Sequence, residues 1–262
     1  MNLLLTNDDG FMAEGIRVLA KNLCKEHNIY VVAPDRNRSA SSHRITVDKP
    51  IRLRKEDCIN ESSVNDKSIV VYSCSGAPAD CVLATMRTNF LGVKIDTVVS
   101  GINRGINIGT DIIYSGTCAA ARQAVLHGVP GIAVSLSSHT NSFKYDALAR
   151  FTLKNFQKLY SLASITKNPH EQIFVNINAS SLEEYKGVRF ANELSVRKYN
   201  DTCKLVEDFY GDNYSFFQGN SIITEGSPTS DYTLCEDGFV SISCVFAEPA
   251  CVKNVDISDF SL

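Results

Sequence analysis

Leu3-Leu4-Leu5-Thr6-Asn7-Asp8-Asp9-Gly10 begins as a continuous apolar run and turns within two residues to amide, carboxylates and glycine. An apolar run without alternation is expected of a strand covered on both faces, as in a parallel sheet. Ile16, Leu19, Ala20, Leu23 and Cys24 then recur at helical spacing, which predicts an amphipathic helix over about residues 13–26. Ile29 to Ala33 reads as a second buried strand, closed by Pro34. Strand, helix and strand in this order favour a parallel sheet with right-handed crossovers. Such sheets bind ligands beyond the carboxyl ends of their strands, which is where Asn7–Gly10 falls.

The same alternation continues. Residues 35–44 read as a polar loop, Ile45–Val47 and Ile51–Leu53 as extended strands, and 55–67 as an exposed loop. Ser68–Cys74 is a strand, and Pro78 opens a helix to about Phe90. Thr97–Val99 is a buried strand followed by a glycine-rich loop over 101–116, a small-residue helix at about 117–128 and a strand at Gly131–Leu136. A longer helix at about 145–164 and a strand at Gln172–Asn178 complete an α/β body over 1–186. Beyond it the pattern changes: Val188–Phe190, Tyr214–Phe217 and Phe239–Ile242 read as short antiparallel strands of a β-rich C-terminal part, 187–262.

Composition narrows the class. The 262 residues carry a formal charge of −3, with no bulk excess of positive charge for nucleic acid or an acidic membrane. No apolar run approaches the roughly 20 residues of a membrane span, and the start lacks a basic, long-apolar signal segment, so a cytoplasmic location is expected. Nine cysteines without a CxxC pair argue for reduced, packed thiols rather than disulfides or a structural zinc site.

Four polar clusters stand where strands are predicted to end: Asn7–Gly10, Asp35–Ser39, Ser100–Asn103 and Tyr114–Thr117. Asp8 and Asp9 repel each other unless a cation or proton lies between them; a turn or helix N-cap is the other reading of the same tetrapeptide. Ser39 and Asn103 add neutral oxygens, poor ligands for zinc or copper but acceptable to magnesium, manganese or calcium. Asn107 can donate an amide, and Ser115-Gly116-Thr117 precedes a helix whose free N–H groups form an anion site, or else simply a capped helix end. His43 is the histidine nearest this chemistry, as an acid, a supporting hydrogen-bonder or a loop residue. Cys118 lies beside the anion site without an obvious base partner, which argues against a thiol nucleophile.

Taken together, the clusters resemble the SurE family. Leu5–Gly10 is similar to its SNDDG opening, Ala33–Ser39 to its APDRxRS loop and His43–Thr46 to its HSIT-like segment. Ser75–Val82 resembles its GTPxDCV, Val99–Asn107 its VSGxNxGxN and Tyr114–Thr117 its YSGT. Val175–Asn178, Asp231 and Gly238–Ile242 are similar to later family patterns, whereas 195–230 aligns poorly. Glu14, Ala40-Ser41 and Ala77 depart from the family pattern without removing a proposed ligand.

The resemblance implies a Rossmann-like, mostly parallel sheet flanked by helices. It implies a metal-dependent phosphomonoesterase acting on nucleoside 5′- and 3′-monophosphates, with one divalent cation per subunit (magnesium, manganese or calcium). By position, Asp8, Asp9, Ser39 and Asn103 hold that cation, with Asp8 and Asp9 catalytic, and Asn107, Ser115, Gly116 and Thr117 hold phosphate. A C-terminal extension exchanged between subunits of a homodimer or homotetramer is also implied, with no nucleic-acid or membrane partner.

Two rivals stay open. A haloacid-dehalogenase-type phosphatase needs a DxDx[TV] spacing that adjacent Asp8 and Asp9 do not provide. A non-catalytic nucleotide- or sugar-binding module is the other, since a fold alone does not settle a function.

Overall fold

The computed structural model describes residues 1–57, 68–165 and 171–249. In chain order the elements are β1 (Asn2–Thr6), α1 (Glu14–Leu23), β2 (Asn28–Pro34), β3 (Leu53–Glu56), β4 (Ile69–Cys74), α2 (Pro78–Thr88) and β5 (Thr97–Arg104). Then come α3 (Asp111–Tyr114), α4 (Gly116–Val125), β6 (Gly131–Ser137), α5 (Tyr145–Lys154), α6 (Phe156–Ala163) and β7 (Ile173–Ser180). The last are β8 (Val188–Phe190), β9 (Val196–Tyr199), β10 (Thr202–Glu207), β11 (Asn213–Gln218), β12 (Ile222–Glu225), α7 (Asp231–Glu236) and β13 (Val240–Phe246).

Among the described residues, nine strands form one sheet in the order β3-β4-β2-β1-β5-β6-β7-β13-β8. The run from β4 to β7 is parallel throughout. β3 lies antiparallel on one edge; at the other, β13 is antiparallel to β7 and parallel to β8. The chain leaves β1 for β2 on one side and returns to β5 on the other, so the topological switch point lies between β1 and β5.

The continuous apolar run of β1 has a direct structural cause. Leu3 and Leu5 join the core beneath α1, α5 and α6, with Ile16, Leu19, Leu148 and Phe156. Leu4 points to the other face, into the core under α2 and α4 with Val32, Val82, Ala120 and Ala124. Both faces are covered, so alternation disappears.

The structure corrects five expectations. Residues 45–47 are not a strand, because the Thr46 N–H and hydroxyl donate to the buried Asp80 carboxylate, both at 2.8 Å, and not to a ladder. The strand expected at 51–53 begins at Leu53 and runs to Glu56, into what reads as loop; residues 58–67 of that loop lie outside the described residues. The 145–164 helix is two helices, broken at Asn155, whose side-chain amide donates back to the Phe151 carbonyl at 2.9 Å. Within 101–116 the strand continues to Arg104 and a short α3 intervenes. The β5–β6 register shifts between Ser100 and Asn103 at Gly101, where φ is +135° and a β-carbon would meet the Val134 carbonyl oxygen at 2.2 Å. Val188–Phe190, expected as an antiparallel strand, instead pairs parallel with β13 at the sheet edge, and sequence patterning missed β9, β10, β12 and α7.

No helix among the described residues is long and apolar enough to cross a membrane. Replacing the fully buried Leu5 by alanine should cost about 2–5 kcal/mol of unfolding free energy in urea titrations. Val47→Ala, at a side chain 90% exposed, should change it by less than about 0.5 kcal/mol. Equal losses would contradict the two-faced burial of β1.

Candidate active site

Asp8 and Asp9 leave β1 at the switch point. Asn7 shapes their turn, with its amide donating to the Gly10 carbonyl at 3.0 Å and accepting the Gly10 N–H at 3.2 Å. Asp8 is 4% exposed. Its Oδ1 accepts the Thr117 hydroxyl at 2.9 Å, and the Gly116 N–H also bonds its carboxylate. The tip of α4 therefore meets Asp8, and an added β-carbon at Gly116 would lie 3.0 Å from the Asp8 Cβ. Burial first, and then the charge of Asp9, push the Asp8 carboxyl up to about 6, against hydrogen bonds from Thr117 and backbone N–H groups. Asp9 is also shifted upward by burial, opposed by the Arg104 N–H and guanidinium.

Three of the polar clusters meet at Asp8 and Asp9. Asp9 Oδ2 accepts the Arg104 N–H at 3.1 Å, which brings the end of β5 to the β1 turn. Neighbouring Asn103 donates its amide to the Gly105 carbonyl at 2.8 Å, leaving its side-chain oxygen open. The Asp35–Ser39 loop arrives through the Arg38 N–H, which donates to the Asp8 carbonyl at 2.7 Å. Ser39 is exposed at this loop's end, its N–H held by Asn37 Oδ1 at 2.7 Å.

The remaining predicted residues are held in place by other groups. Ser115 caps α4, its hydroxyl oxygen accepting the Cys118 N–H at 3.0 Å. Asn107 is buried and donates its amide to Ser135 Oγ at 2.8 Å. Its backbone N–H goes to Asn178 Oδ1, and its carbonyl accepts both Asn176 and Asn178 amides, at 2.8 and 3.0 Å. His43 Nε2 lies 2.6 Å from Gln123 Oε1. Gln123 follows Thr117 by six residues on α4, about 9 Å along the axis, so His43 bonds two turns from the Asp8–Thr117 contact. Burial lowers the His43 pKa, with the Gln123 bond opposing and Arg122 assisting. Cys118 is wholly buried, which pushes its thiol up to about 12 and holds it protonated.

Several further residues position the site, among them Asp231, Asn176 and Asn178, which the resemblance to the family marks without assigning a role. Asp231 is fully buried, accepts the Gly109 N–H and the Ser195 N–H, each at 2.8 Å, and takes the Ser195 hydroxyl at 2.7 Å. A β-carbon at Gly109, where φ is +47°, would meet the Ser195 carbonyl oxygen at 1.7 Å. Arg197 and Tyr199 of β9 both bind Asp111, Arg197 at 3.1 Å. The 107–111 loop is thus gripped from β7 and from the C-terminal part. Polar Asn176 and Asn178 alternating with Val175 and Ile177 in a buried strand could have flagged one grip; Asp231 has no local pattern that marks it.

The donor set fits a hard cation. Thr117 donates to Asp8 Oδ1 and the Arg104 N–H to Asp9 Oδ2, the Gly116 N–H adds a further bond to the Asp8 carboxylate, and the Asn103 amide is held at the Gly105 carbonyl. Among the described residues no group of three or more His, Cys, Asp or Glu could hold a metal, so a cation here takes neutral oxygens too. Burial is the leading cause of both upward shifts, so a bound cation would relieve a cost that these two carboxylates carry.

Comparison with known proteins identifies the family. The family model described as survival protein SurE matches residues 3–201. A protein named 5′-nucleotidase SurE from Thermosipho africanus is 39% identical over 243 residues, covering 93% of this chain and 90% of the relative. One of the same name from Treponema pallidum is 43% identical over 201 residues, 74% of this chain and 98% of its own. The crystal structure of the Sure protein from Aquifex aeolicus superposes with a TM-score of 0.73 at 29% identity, covering 95% of each chain. With matching motifs, sheet order and relatives along nearly its whole length, this chain belongs to the SurE family.

Proposed function

We propose that this chain is a divalent-metal-dependent nucleotidase that hydrolyses nucleoside 5′-monophosphates, and also 3′-monophosphates, to nucleoside and phosphate. The observation that supports the reading is that Asp8 bonds the tip of α4 through Thr117 while Asp9 bonds the end of β5 through the Arg104 N–H, the residue after Asn103. Oxygens of Asp8, Asp9 and Asn103, with the Ser39 hydroxyl, would hold magnesium, manganese or calcium, one ion per subunit. Such an ion polarises a phosphoryl oxygen and acidifies water in its reach.

The chain's own groups do the rest. Thr117 and Gly116 hold Asp8 in one orientation, and the Arg104 N–H does the same for Asp9. A carboxylate oxygen of Asp8 or Asp9 that does not hold the cation would receive the proton of the attacking water as its oxygen bonds to phosphorus, and that proton would pass on to the nucleoside oxygen released when the ester P–O bond breaks. The Ser115 hydroxyl proton, the Thr117 N–H and the second amide hydrogen of Asn107 would face the phosphoryl oxygens, beside Gly116, whose own N–H is given to Asp8. His43, bonded to Gln123, supports the loop that carries Ser39.

The C-terminal part suggests the assembly. We read 1–186 as the catalytic unit and 187–262 as the region that pairs with a second copy, in a dimer or tetramer. The β10–β11 pair is a two-stranded sheet on its own, with Phe217 81% and Leu205 66% exposed, and Phe209 of the connecting turn is 96% exposed. Apolar strands this bare are usual for an association surface. Phe209→Ser with Phe217→Ser should therefore lower the oligomer order in light scattering; an unchanged mass would contradict this use of the hairpin.

Purified protein should release phosphate from AMP and nitrophenyl phosphate with manganese and stop when chelator is added. Absence of metal-dependent release from both would favour the non-catalytic module. Asp8→Asn should lower kcat at least about 100-fold while circular dichroism stays native; full activity would contradict the assignment of Asp8.

A pH dependence follows from the raised Asp8 pKa. A carboxyl harder to ionise folded than unfolded destabilises the native state as pH rises from about 4 through about 6. A bound cation removes that penalty. Manganese should therefore raise the Tm more at pH 7.5 than at pH 5, and Asp8→Asn should abolish the difference. Equal shifts at both pH values would contradict it.

A further inference from the structure

A basic cleft of about 260 Å³ opens beside the site, lined by Arg36, Arg38, Ser41, Arg44, Lys49 and Gly76 among others. Asp35 partly neutralises two of these cations, at 3.9 Å from Arg36 and 3.4 Å from Arg38. Arg44 and Lys49 are exposed and form no ion pair among the described residues. The nearby buried acid, Asp80, is already satisfied by the Thr46 N–H, the Thr46 hydroxyl and the Ala77 N–H, all at 2.8 Å. The cleft thus carries a positive excess that its own wall does not cancel.

Two further observations point to a ligand. Arg38 and Ser41 line the cleft, and Arg38 Nε and Ser41 Oγ are buried atoms without a hydrogen-bond partner among the described residues. Such atoms are uncommon, because an unmet buried donor costs about 1–3 kcal/mol. Ser41 is also flanked by two non-glycine residues in the left-handed region, Ala40 at φ +55° and Ser42 at φ +51°. Strain of this kind persists where surrounding structure enforces it, and binding loops are a frequent setting.

Arg38 links cleft and site. Its backbone N–H donates to the Asp8 carbonyl at 2.7 Å, while its guanidinium donates to the Ser75 carbonyl at 2.8 Å at the cleft. The cleft therefore lies about one arginine side chain from the Asp8 backbone. That spacing suits two phosphoryl groups separated by a sugar ring better than two sharing an anhydride oxygen.

The geometry points to this cleft as an anion subsite for a second phosphoryl group on the substrate, so that a nucleoside 3′,5′-bisphosphate is bound in preference to a monophosphate. This rests on the nucleotidase reading above. Arg44 and Lys49 supply the added attraction, as charged donors to phosphate oxygens.

The test compares AMP with adenosine 3′,5′-bisphosphate on the full chain with manganese, by initial rates of phosphate release. The natural protein should show a KM about tenfold lower for the bisphosphate. R44Q/K49Q should raise the bisphosphate KM about tenfold while the AMP KM moves less than about twofold. Equal KM values for both substrates, or an equal loss on both, would overturn the subsite. Calorimetry with inorganic phosphate identifies the other source: phosphate binding lost in R44Q/K49Q, without any bisphosphate preference, marks a free-phosphate site and also overturns it. Should neither substrate turn over, the nucleotidase reading fails by itself. The cleft is then judged by calorimetry with the bisphosphate on chelator-treated protein, where binding weakened about tenfold in R44Q/K49Q supports it and no binding by the natural protein refutes it.

Discussion

The interaction on which this structure depends is the burial of the Asp8 carboxylate against the tip of α4, with a second carboxylate one residue away. Two like charges withdrawn from water repel and are poorly solvated, and each effect favours protonation. The Thr117 hydroxyl at 2.9 Å and the backbone N–H groups offset only part of this, since the carboxyl still lies near 6. A divalent cation is the simplest remaining compensation. The helix tip then has two roles, orienting Asp8 and presenting N–H groups to an anionic ester.

The architecture exists to hold that unfavourable pair in place. β1 is an inner strand at the switch point, anchored by leucines on both faces, so its carboxyl end has little freedom to relieve the repulsion. The neighbouring loop is fastened just as firmly. Asn176 and Asn178 on β7 bind the Asn107 backbone, and Asp231 at the start of α7 binds Gly109. The C-terminal part thus reaches the 107–111 loop through a few buried polar contacts.

Much of the body was legible in the sequence because burial on both faces leaves a local record. Leu3–Leu5, Ile29–Ala33 and Thr97–Val99 are unbroken apolar runs, and each is a parallel strand. The spacing of Ile16, Leu19, Ala20 and Leu23 marked the buried face of α1. Legibility failed where long-range contacts override local pattern. Thr46 alternates with apolar neighbours as a strand residue would, yet Asp80, 34 residues away, takes its donors. Asn155 stands within a helical pattern, but its amide bends back to Phe151 and splits the helix. In the C-terminal part, β10 and β11 expose every residue, so no buried face imposes a period. The acidic pair and the loop that meets it stood out in the sequence by residue type. Asp231, whose partner Gly109 lies 122 residues away, has no such signature.

The most direct measurement is a crystal of the protein grown with manganese and examined for anomalous scattering. The account predicts one manganese peak per subunit, in contact with oxygens of Asp8, Asp9 and Asn103 and facing the N-terminus of α4. A peak elsewhere with these carboxylates unoccupied, or none at saturating manganese, would contradict it.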